Sequence, residues 1–97
     1  MSTAYHYEFG PSAPSDEVEA TLILAVLAAE SLHGEAQVRL DAAHTFDPDR
    51  RFCTIDAGTA VGRDLNRLFA GFVAREFGRN GFTVTRGPAA RAEPVTA

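Results

Sequence analysis

The sequence predicts an α+β domain with the element order β-α-β-β-α-β. Three observations carry this. Four segments alternate apolar and polar residues at strand period, and two long segments carry apolar residues at helical spacing. Glycine, proline and aspartate clusters separate them. In 97 residues with 45% hydrophobic and 23% charged side chains, that pattern fits one core.

The first strand is Tyr5-His6-Tyr7-Glu8-Phe9, with the aromatics on one face and His6 and Glu8 on the other. Gly10-Pro11-Ser12-Ala13-Pro14 ends it. Ser15 or Asp16 is expected to cap a helix running to about His33, with Asp16 and Glu19 at capping-box spacing. Gly34 supplies its stop. A second strand is expected over Gln37 to Ala43, with Val38, Leu40 and Ala42 opposed to Gln37, Arg39 and Asp41. Asp47-Pro48-Asp49-Arg50-Arg51 is a turn, and Phe52 to Ala57 returns as the third strand. Thr59 caps the second helix, which extends to Phe77 with Val61, Leu65, Leu68, Phe69, Phe72 and Val73 in one stripe. After Asn80-Gly81, the segment Phe82 to Arg86 alternates again as the last strand.

This order is that of a ferredoxin-like fold: a four-stranded antiparallel sheet, two helices on one face, and the first and third strands central. The domain is expected over residues 1–88, with a disordered C-terminal tail over 89–97.

Charge narrows the function classes. The net charge is −4, and all nine basic residues are arginine. A nucleic-acid partner or an anionic membrane surface would need a cationic footprint, so neither is expected. An RNA-binding module of this topology would also carry aromatics on the open sheet face, whereas Tyr5, Tyr7 and Phe9 share the core face. Cys53 is the sole cysteine, which points to a reducing, cytoplasmic setting. Residues 1–10 have no leader pattern, and the apolar run from Leu22 to Ala29 is too short to cross a bilayer.

The first helix is apolar on two sides. Val18, Leu22, Ala25, Ala29 and Leu32 form one face; Ala20, Ile23, Leu24 and Leu27 form another. A two-layer domain covers one such face, so the second is expected to meet a partner, either a second copy or another protein. The expected function is a non-enzymatic interaction or assembly module that forms a homodimer through Ala20, Ile23, Leu24 and Leu27.

Two other surfaces could carry chemistry. With Tyr5, Tyr7, Val38, Leu40, Cys53 and Ile55 facing the helices, the open sheet face gathers His6, Glu8, Arg39, Asp41, Thr54 and Asp56. Such a set could serve acid–base work in a small enzyme, although solvated ion pairs are the commoner use of an open face. The turn into the second helix offers Gly58, Thr59, Arg63 and Arg67 as a weak anion site, making a regulatory domain for a small anionic ligand the alternative function. It lacks the Lys-Ser/Thr ending of a phosphate-binding loop. Glu30 and His33 have metal-ligand spacing but no second pair, and Cys53 has no neighbouring base. No catalytic residue, metal or cofactor is expected.

Overall fold

A computed structural model describes residues 3–88, and the tail expected over 89–97 lies outside them. Among the described residues the elements are β1 (Thr3–Phe9), α1 (Ser15–His33), α2 (Glu35–Asp41), β2 (His44–Asp47), β3 (Phe52–Asp56), α3 (Ala60–Phe77) and β4 (Phe82–Pro88), with a single 3-10 turn at Arg79–Gly81. The four strands form one antiparallel sheet in the order β2-β3-β1-β4, so β1 and β3 are central, as the sequence predicts.

The described residues form three helices and not two. The segment expected as the second strand is α2, and β2 follows it as a strand of four residues. The alternation of Val38, Leu40 and Ala42 does not make a strand here. Glu35, Ala36, Gln37, Arg39 and Leu40 are all good helix formers. Arg39 pairs with Glu35 at 2.8 Å and Gln37 donates to Asp41 at 2.6 Å, both one helical turn apart. Val38 is buried while Leu40 is 78% exposed, so the two never shared a face. Gly34, at φ 88°, makes the corner between α1 and α2, where most side chains would be strained.

The core lies between one sheet face and the pair α1 and α3. Tyr7, Phe9, Cys53 and Ile55 meet Val18, Leu22 and Ala25 of α1 and Leu65, Phe69 and Val73 of α3. Phe69 stands edge-on to Tyr7 at 4.9 Å between ring centroids, and Phe82 lies 5.7 Å from Phe9. Each large side chain withdrawn here contributes about 1.5–3 kcal/mol of hydrophobic stabilisation. The Tyr7 hydroxyl stays satisfied by donating to the side-chain oxygen of Asn66.

The helix starts differ. Thr59 precedes α3 as expected, and its hydroxyl oxygen accepts from Gly62 N at 3.0 Å. At α1 the capping residue is Pro14, with no side-chain cap. Ser15 instead donates to the Pro48 carbonyl at 2.8 Å, pinning the helix start to the β2–β3 turn. Arg51 locks the same region. It is the one described non-glycine residue at positive φ, 56°, and its guanidinium donates to the carbonyls of Gly10 and Ala13. Its own carbonyl accepts from Phe9 N at 2.9 Å.

Candidate functional site

The outward side of α1 is an exposed apolar surface. Val18, Leu22, Ala25 and Ala29 are buried, while Ile23, Leu24 and Leu27 are 54%, 58% and 53% exposed, with Ala20 exposed beside them. The cause lies in the sequence. At roughly 100° per residue, Ile23, Leu27, Ala20 and Leu24 span the arc opposite the buried stripe. Exposing three large aliphatic side chains on one helix face leaves their hydrophobic stabilisation unrealised, which marks contact surfaces more than ordinary ones.

One flank of this face forms a groove. Leu22, Ile23, Val26 and Leu27 of α1 form one wall, and His44, Thr45 and Phe46 of β2 the other, enclosing about 410 Å³ with Glu19 at one end. The volume lies within the range of about 300–1,000 Å³ usual for small ligand sites, and the walls are mainly apolar. Burial lowers the pKa of His44 even though part of the residue remains exposed, so the imidazole favours its neutral form.

The open sheet face holds part of the polar set expected there. His6, Glu8 and Thr54 share it with Phe52, and the strand register sets two rows across the sheet: Thr45, Thr54, His6, Thr85 and then Asp47, Phe52, Glu8, Thr83. Arg39 and Asp41 are absent from it, because they belong to α2 and not to a strand. The His6 nitrogens are both engaged. Nε2 lies 3.3 Å from the Pro88 carbonyl, which can only accept, so Nε2 donates and Nδ1 accepts from the Thr54 hydroxyl at 3.2 Å. The ring also stacks on Phe52 at 5.9 Å. The Asp56 carboxylate accepts from Gly58 N at 2.8 Å.

At the start of α3, local groups take up the free donors. Gly58 N is held by Asp56 and Gly62 N by Thr59, whose hydroxyl donates to the Asp41 carbonyl at 3.0 Å. Arg63 and Arg67 line a cleft of about 100 Å³ with Tyr5 and Asn66, and Arg67 lies 3.8 Å from Asp64. The Asp56 and Asp64 carboxylates thus lie near the positions an anion would take.

Sequence spacing missed one contact. His33 Nε2 donates to Asp64 Oδ2 at 2.8 Å, joining the last turn of α1 to the second turn of α3 across 31 residues. No metal-holding cluster of His, Cys, Asp and Glu occurs among the described residues. Cys53 is fully buried on β3, and burial pushes its thiol up to about 12. No described helix is long and apolar enough to cross a membrane. No protein-family model matches the chain, and no curated protein matches it significantly.

Proposed function

We propose that the protein is a small interaction or assembly module, of a ferredoxin-like plan with α2 inserted before β2, that acts as a homodimer in the cytoplasm. The observation that carries this is the exposure of Ile23, Leu24 and Leu27 on one continuous face of α1. A second copy is the simplest partner, since the same patch on both subunits closes a two-fold assembly without open ends. In an antiparallel pairing of α1 with its counterpart, the start of each helix would lie beside the end of the other. The two helix dipoles then also oppose each other favourably.

Light scattering coupled to size exclusion tests this. The expected result is a dimer at high micromolar concentration that Leu24→Asp converts to a folded monomer. A monomer for the unaltered chain at that concentration overturns the homodimer. The single buried cysteine fits a reducing compartment.

A further inference from the structure

The groove beside α1 has a feature that the helix face alone lacks: one wall is an unpaired strand edge. β2 is the terminal strand of the sheet. Ala43 O accepts from Asp56 N at 2.9 Å, so residue 43 is bonded toward β3. Antiparallel pairing alternates with a period of two, and the register places Thr45 against Thr54 and Asp47 against Phe52. The backbone N–H and C=O of Thr45 and Asp47 therefore also point to β3, while those of His44 and Phe46 point outward. Among the described residues no backbone group meets them. His44 and Phe46 are also the β2 residues whose side chains face the helices and form the groove wall. Outward backbone donors and acceptors thus lie beside an apolar trough that opens at the strand's edge.

The geometry points to an extended peptide segment as the occupant, added as a fifth strand along the outer edge of β2. Its backbone bonds to His44 and Phe46, and every second side chain enters the trough between Phe46 and Ile23, Val26 and Leu27. The segment therefore has an apolar–any–apolar core, with β-branched or aromatic residues favoured. Charge fixes its register. Glu19 is the charged residue on the groove wall, near the end of α1 that Ser15 ties to Pro48 just beyond β2. Among the groove's own charges no cation offsets Glu19, because His44 favours its neutral form. A lysine or arginine just past the apolar pair would meet Glu19.

This inference rests on the reading of the protein as an interaction module, and names the partner of the α1–β2 flank. The full chain is screened against a phage-displayed library of random heptapeptides. Selected peptides are then synthesised with fluorescein and measured by anisotropy. The expected selection shares apolar–any–apolar with an adjacent Lys or Arg. His44→Pro removes one outward N–H without touching a bond to β3, a position where an edge strand tolerates proline. It is expected to weaken binding at least tenfold with the circular dichroism unchanged. Glu19→Arg is expected to weaken binding several-fold and to favour peptides with Asp in place of the basic residue. Leu27→Glu blocks the trough. Both positions are exposed, but Leu27 also belongs to the proposed dimer face, so Glu19→Arg, which lies outside that face, decides the matter if the proline disturbs the hairpin.

An empty selection overturns the inference, as does selection of peptides that bind all three variants equally. Dissociation of a dimer by His44→Pro, with no peptide selected, would mean that a second copy occupies the edge. That result overturns the peptide and leaves the homodimer standing, whereas a monomeric chain that binds the selected peptides removes the homodimer alone.

Discussion

The Tyr7 hydroxyl donates to the side-chain oxygen of Asn66, tying the central strand β1 to the middle of α3. Burial and the nearby Cys53 and Tyr5 raise the Tyr7 pKa above its ordinary value, so the phenol keeps the proton this bond requires. Tyr7→Phe leaves the aromatic packing in place and removes only the bond. The expected loss is about 1 kcal/mol in urea unfolding, because half-buried Asn66 can recover water. An unchanged midpoint would show that the bond contributes nothing net.

Gly62 of α3 leaves no room for a side chain against the end of β3. A Cβ at this position would sit 2.1 Å from the Asp56 carbonyl oxygen, a backbone atom that cannot swing aside. Although alanine is the better helix former, Gly62→Ala is expected to destabilise by about 3 kcal/mol through overpacking. Gly71→Ala in the same helix meets nothing within 4 Å and is expected to stabilise by about 0.5–1 kcal/mol. Thermal melts of the two variants should move in opposite directions.

Cys53 should be inert in the folded protein. Its thiol is pushed up to about 12 and is fully buried, so thiolate is scarce and reagents are excluded. Ellman's reagent at pH 8 should react no faster than the chain unfolds, with the rate following denaturant concentration. Rapid stoichiometric labelling without denaturant would contradict the packing of β3.

His44 sets a pH dependence. Its folded pKa is lowered below the ordinary 6.5 by burial. The unfolded chain therefore binds the proton more readily, and the contribution of neutral His44 is complete above pH 6.5 and declines as pH falls toward the lowered folded value. Stability should drop on acidification from pH 7 to 5, and His44→Gln should flatten that slope. An identical slope in the variant would assign the drop to other groups.

Most of the plan is legible along the chain because it rests on local periodicity. Tyr5, Tyr7 and Phe9 alternate on a strand that is half buried, and Val61, Leu65, Phe69 and Val73 follow one side of α3. The apolar outer side of α1 is legible for the same reason, since helical angle alone separates Ile23 and Leu27 from Leu22 and Ala29. The segment Glu35–Asp41 is not, because a short amphipathic stretch satisfies both periods and only its turn-spaced pairs, Glu35 with Arg39 and Gln37 with Asp41, separate them. The groove is not legible either, because its second wall, His44, Thr45 and Phe46, is a strand that begins only after α2. The His33–Asp64 pair was invisible for another reason, being a contact between two helices with no local pattern.

Arg51 has a consequence for how the molecule opens. Its carbonyl holds the Phe9 amide, and its guanidinium holds the carbonyls of Gly10 and Ala13. The β2–β3 hairpin is thereby fastened to the segment that launches α1, about 40 positions earlier in the chain. An edge strand such as β2 and its turn would ordinarily fray alone, exchanging amide hydrogens faster than the centre of the sheet. Here, peeling it away also frees the Phe9 amide and the start of α1, so these amides belong to one cooperative opening unit.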